Sequence, residues 1–97
     1  MQLFFCFTDA GCYRYLFAEN SDKAMEIFGV CVVLEKVRPS RVWMRELTPD
    51  TVSKPFRDHL REALSWKQEG FGTYEHGEGW HISSVQAEFD RLSGPRK

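Results

Sequence analysis

The sequence predicts a single small α+β domain: a mainly antiparallel sheet with about three helices, in the order ββαββα(ββ)α. Three observations lead there. Aromatic and branched residues alternate along several short segments separated by turn-forming residues, which is the signature of strands. Elsewhere the apolar residues recur at helical spacing behind a capping residue or a proline. The connections before the longest helix are too short for parallel crossovers, so neighbouring strands should run antiparallel. With this order the helices are expected on one face of the sheet.

Residues 2–8 are dense in Phe and read as the first strand. Asp9, Ala10 and Gly11 turn the chain, and residues 12–19 form the second strand. With Gly11 in the left-handed position of a three-residue loop, Thr8 faces Cys12 and Cys6 faces Arg14. Asn20 or Ser21 caps a short helix carrying Ala24, Ile27 and Phe28, and Gly29 ends it. Residues 30–37, rich in branched side chains, read as a third strand. Arg38, Pro39 and Ser40 turn into a fourth strand over residues 41–47.

Ser53 then caps a helix with Pro55 in its first turn, where a missing N–H costs nothing. Its stripe is Phe56, Leu60, Ala63 and Leu64, and it runs to about Glu69 before Gly70 and Gly72 stop it. A hairpin follows, residues 72–76 and 80–83 around Gly77, Glu78 and Gly79. Ser83 and Gln86 match a capping box for a last helix bearing Val85, Phe89 and Leu92. Residues 1–92 make the domain, and residues 93–97 are expected to be a loose tail.

The 97 residues allow one core and little else. With 42% hydrophobic and 28% charged residues the chain is too apolar to be disordered. No apolar run approaches the roughly 20 residues of a membrane span, so no membrane partner is expected. Three cysteines (Cys6, Cys12, Cys31) and no leader point to free thiols, a reducing compartment and a cytoplasmic location. Small buried core fillers are the expected role of those thiols.

Net charge is only −1, but it is unevenly spread. Residues 36–61 hold seven basic side chains (Lys36, Arg38, Arg41, Arg45, Lys54, Arg57, Arg61) against three acidic ones (Glu46, Asp50, Asp58). Lys54, Arg57 and Arg61 share a helix face near its N-terminal end, where the helix dipole disfavours cations. A local cost of that kind points to an anionic partner, unless Asp58 and other acids neutralise the face. On the fourth strand, alternation puts Arg41, Trp43 and Arg45 on one side and Val42 and Met44 on the other. Trp and Arg are the types most enriched at binding hot spots. The first two strands are apolar on both sides, so helices on one side leave a face for a partner or a second copy of the chain.

Chemistry leaves little trace. His76 and His81 flank the last turn without the companion residues of a metal motif, and they read as exposed turn histidines. His59 borders the apolar stripe of the long helix and reads as structural. No nucleophile elbow, phosphate-binding loop or dinucleotide fingerprint occurs, so neither a cofactor nor enzymatic activity is expected.

The expectation is therefore a non-catalytic macromolecule-binding domain, a small interaction or inhibitory protein. Its binding residues are Arg38, Arg41, Trp43, Arg45, Lys54, Arg57 and Arg61, and its partner is a protein or a second copy. Binding of nucleic acid through residues 36–61 is the first alternative. A small enzyme or metal protein using His59, His76 and His81 is the second. In size and style only, such a chain resembles the small inhibitors that phages and mobile elements use against host defence enzymes; no motif carries that resemblance.

Overall fold

The computed structural model describes residues 1–94. Five strands form one sheet: β1 (Gln2–Thr8), β2 (Tyr13–Ala18), β3 (Val42–Leu47), β4 (Gly70–Glu75) and β5 (Gly79–Ser83). Three helices accompany it: α1 (Ser21–Leu34), α2 (Phe56–Ser65) and α3 (Val85–Ser93), with one 3-10 turn at Pro49–Thr51. The strand order is β3-β1-β2-β4-β5, and every neighbouring pair is antiparallel. The α+β class and the antiparallel sheet with three helices are as the sequence predicts.

The β1–β2 hairpin has the predicted register. Cys6 pairs with Arg14 and Phe7 with Tyr13, and Gly11 adopts φ +87° at the turn. The Thr8 hydroxyl holds that turn by accepting from the Ala10 and Cys12 amides.

The segment 30–37 is not a strand. Helix α1 continues through Gly29 to Leu34, and no strand lies between it and β3. Branched residues favour strands by well under the energy of burying a helical stripe, and here the stripe decides. Ala24, Ile27, Phe28, Cys31 and Val32 fall on one side of the helix and are all buried. Val30 and Val33 point outward, 42% and 72% exposed. Asn20 caps the helix, its side chain accepting from the Lys23 amide at 2.8 Å, and Lys36 ends the run in a left-handed conformation (φ 63°).

Other boundaries move by a few residues. No side chain caps α2, whose N-cap is Pro55; Ser53 instead accepts the Arg57 amide through its carbonyl. The helix stops at Ser65, short of Glu69, because Lys67 turns left-handed (φ 53°) and leads into β4 from Gly70. Ser84, not Ser83, caps α3, accepting from the Ala87 amide at 3.1 Å. Helix α3 includes Ser93, where the tail was expected to begin; residues 95–97 of that tail lie outside the described residues.

The helices do not share one face of the sheet. Helices α1 and α3 cover the face formed by Phe4, Cys6, Leu16, Ala18 and Phe71. Helix α2 lies on the opposite face, where Leu60 and Ala63 pack with Leu3 and Phe17. Two apolar sheet faces need cover from both sides, and the single short helix on the second face reaches only part of it. Phe17 is fully buried there; Tyr15 and Tyr13, further along the same strand and on the same side, are 36% and 55% exposed.

Candidate functional site

The uncovered part of the α2 face is aromatic. Cross-strand pairing fixes its rows: Arg45, Phe5 and Tyr15 in one, Trp43, Phe7 and Tyr13 in the next. Phe5 stacks on Phe7 at 5.0 Å, and Phe7 stacks on Trp43 at 5.2 Å with the ring planes 16° apart. Phe5 also meets Tyr15 at 4.8 Å, and Tyr15 meets Trp80 edge-on at 5.5 Å. Trp80, Tyr74 and Phe56 carry the strip on to α2. A ladder of side chains thus crosses the sheet from the β3 edge to the helix.

Strand β3 is an outer strand, so its far side offers unpaired backbone groups beside Trp43, which is 40% exposed. The approach to this strand is pinned by Asp9. Its carboxylate accepts from the Ser40 and Arg41 amides at 3.0 and 3.2 Å, tying the segment to the β1–β2 turn.

The seven predicted binding residues fall into two groups. Arg38, Arg41, Trp43 and Arg45 are exposed along β3 and the segment before it, and none of these arginines has an acidic partner within 4.0 Å among the described residues. The α2 residues are engaged locally. Lys54 pairs with Asp58 at 2.7 Å, Arg61 reaches the same carboxylate at 3.9 Å, and the Arg57 Nε donates to the Pro49 carbonyl at 3.2 Å. Asp58 is correspondingly held below the usual carboxylate range, first by the Lys54 hydrogen bond. Asp58 thus offsets only part of the charge of Lys54, Arg57 and Arg61, and Arg57 shares with Arg38, Arg41 and Arg45 the lack of an acidic partner among the described residues.

The histidines do not converge. His59 Nδ1 and the Tyr74 hydroxyl are hydrogen-bonded at 2.8 Å, which ties α2 to β4. His81 lies 3.5 Å from Glu78, and His76 is exposed near the same turn.

One polar cluster was not legible in the sequence. Cys12 Sγ, Cys31 Sγ and a Glu35 oxygen lie within 4.8 Å of one another, a donor set that could in principle meet a metal ion. The Arg14 guanidinium already pairs with Glu35, and it approaches Glu88 at 3.5 Å. Burial pushes the Cys31 thiol up to about 12, with Arg14 opposing and the nearby acids adding to the rise, so the neutral thiol is strongly favoured. A resident cation and protonated thiols make this a packed polar patch under the sheet. Residues far apart in sequence build it, so no spacing motif could announce it.

Sequence reasoning also missed the far half of the aromatic strip. Phe56, Tyr74 and Trp80 come from three elements distant from β1 and β2, and only the fold joins them. Gly72 makes the junction possible: a Cβ there would stand 2.6 Å from Phe17 Cε2 and 3.1 Å from Trp80 Cε3. Those two rings meet edge to face at 5.4 Å across it. Among the described residues no helix is long and apolar enough to cross a membrane. No protein-family model, curated protein or solved structure matches the chain.

Proposed function

We propose that the protein is a non-catalytic binding module that docks a partner protein on the aromatic face of its sheet. Trp43 is the anchor, and Arg38, Arg41 and Arg45 form the charged rim. The observation that carries this reading is the Trp43–Phe7–Phe5 stack standing on an uncovered sheet face beside unpaired arginines. An exposed apolar surface rimmed by charge is characteristic of interaction sites.

The ring geometry favours protein over nucleic acid. A stacking platform for bases presents ring faces to solvent. Here Phe5, Phe7 and Trp43 stack against one another, so Phe7 has both faces engaged and Trp43, at the end of the row, keeps one face without a ring partner among the described residues. One free face does not make a platform for successive bases. The buried, neutral thiols and the structural pairing of His59 support action by contact and not by bond making. A module of this kind works by occupying a surface of its partner, as a small inhibitor does.

The test is capture from a lysate of the native host by the immobilised protein, with Trp43→Ala and Arg45→Ala as controls. A specific protein retained by the wild type and lost with both variants is the expected result. Retention that is unaffected by both substitutions, or that disappears on nuclease treatment, rules the reading out.

A further inference from the structure

The outer edge of β3 is a feature distinct from the face of the aromatic ladder. One hydrogen bond sets the direction of its backbone groups. The Asp9 amide donates to the Arg41 carbonyl at 3.3 Å, so Arg41 turns its backbone towards the first hairpin. Backbone groups alternate in direction along a strand. Trp43, Arg45 and Leu47 therefore pair with β1, and Val42, Met44 and Glu46 point their N–H and C=O groups outward. The strand contains neither proline nor glycine, and no strand lies beyond it among the described residues. An edge in this state is a template for pairing with another chain.

The side chains specify which chain fits. Phe7 covers the side of the Trp43 ring that faces β1, with the ring planes 16° apart. The other side of the indole looks out past the edge, where a cation makes a favourable neighbour. Arg45, on the same side of the strand, has no acidic partner within 4.0 Å among the described residues. An antiparallel copy of β3 centred on Met44 brings the two together. Val42 then exchanges backbone hydrogen bonds with the second copy's Glu46, and Met44 with the second copy's Met44, so every outward group of the strand is used. Trp43 stands opposite the second copy's Arg45 in a non-hydrogen-bonded pair, where side chains approach most closely. Other registers fail. A shift of the centre by half a residue sets outward groups against inward ones. Centring on Trp43 opposes Arg41 to Arg45, and centring on Arg45 opposes that arginine to itself; like charges directly opposite destabilise a sheet. Centres nearer either end leave most of the strand unpaired.

We propose that the protein forms a two-fold dimer by antiparallel pairing of β3 with β3 of a second copy, in the register centred on Met44. The axis stands perpendicular to the sheet, so the two aromatic ladders join into one surface. Each Trp43 ring is held between Phe7 and the second copy's Arg45. The pairing concerns the edge of the strand, and it stands apart from docking of a different protein on the ladder's face.

Sedimentation equilibrium of the full-length protein, from about 10 µM to about 1 mM, reads the association. A dimer with a Kd of about 0.1 mM or tighter is expected for a small interface of this kind. Val42→Pro should weaken it about ten-fold or more, because the lost N–H points outward and belongs to no bond within the protomer. A second measurement needs no variant. In a mixture of isotopically labelled and unlabelled protein, an intermolecular NOE should connect the Hα atoms of Trp43 and Arg45. Opposed Cα atoms in such a pair are about 4.5 Å apart, whereas residues two apart on one strand are separated by about 6.6 Å. A monomer throughout the range, assembly that grows beyond two copies, undiminished dimerisation in folded Val42→Pro, or a dimer without that NOE overturns the proposal. Each of these results leaves capture of a partner from a lysate untouched, and failure of that capture leaves the dimer standing.

Discussion

Trp43 lies against Phe7 with ring centroids 5.2 Å apart and planes 16° apart, across the β1–β3 pairing that sets those two residues opposite each other. The contact fixes the indole on an outer strand without burying it. An anchor that is already oriented loses less freedom when a partner covers it, and that lowers the cost of binding.

Truncating this anchor should therefore weaken binding to the captured partner by about 2 kcal/mol or more, for Trp43→Ala and for Arg45→Ala alike. Calorimetric titration gives the affinity and a thermal melt confirms the fold. The rim arginines should make association faster at low salt, but without the steep salt dependence of a phosphate contact, whose log affinity falls by about 0.9 per phosphate neutralised for each tenfold rise in salt.

Two glycines should respond in opposite directions to alanine. At Gly72 the new Cβ has no room between Phe17 and Trp80, and Gly72→Ala should destabilise the fold by about 1–3 kcal/mol. At Gly29, exposed in the interior of α1, a Cβ meets nothing within 4 Å. Gly29→Ala should stabilise by about 0.5–1 kcal/mol through helix propensity. Urea denaturation of both variants checks the pair.

The thiols should make the fold sensitive to alkali. Burial raises Cys6 and Cys31 from 9.0 to about 12, and raises Cys12 in the same direction. The folded state thus holds these protons more tightly than the unfolded chain. Their contribution to stability is complete below about pH 9 and is lost as the pH climbs towards 12. Chemical denaturation from pH 8 upward should show a falling midpoint, and a thiol-specific reagent at pH 8 should label the native protein far more slowly than the unfolded one.

Arg14 should be a structural residue whose removal costs stability. It pairs with Glu35 next to two buried thiols and comes within 3.5 Å of Glu88, whose side chain is only 14% exposed. Arg14→Met takes away the partner of Glu35 and leaves Glu88 with Arg91 alone, and should cost about 1–2 kcal/mol for this part-buried pair, with recovery when Glu35→Gln is added. Glu88 is held below its usual range, chiefly by its hydrogen bond to Arg91 and then by nearby charge including Arg14. Its share of stability is present above about pH 4.5 and fades as acid protonates it. Denaturation midpoints at pH 7 and pH 3 for wild type and variant measure both effects.

Much of this was written locally. The β1–β2 register follows from Gly11 and the aromatic alternation, because a short loop admits few geometries. The faces of β3 follow from its pleat, which is why Arg41, Trp43 and Arg45 could be grouped from sequence alone. The segment from Val30 to Val37 misled for a physical reason. Its branched residues favour a strand, but Cys31 and Val32 complete the buried stripe of α1, and a stripe is recognised only when the surface it packs against is known. The pairing of Asp58 with Lys54 was foreseeable from its spacing of four residues, and it offsets part of the positive charge at the start of α2.

By itself, then, the sequence determined the class of fold, the first hairpin and the identity of the residues on the outer strand. Tertiary structure alone decided which helix covers which side of the sheet, how much of the aromatic surface stays bare, and that Cys12, Cys31, Arg14 and Glu35 meet. The reason is range. Turn and strand preferences act over a few neighbouring residues, whereas coverage and convergence depend on how elements far apart in the chain share out a limited area of apolar surface.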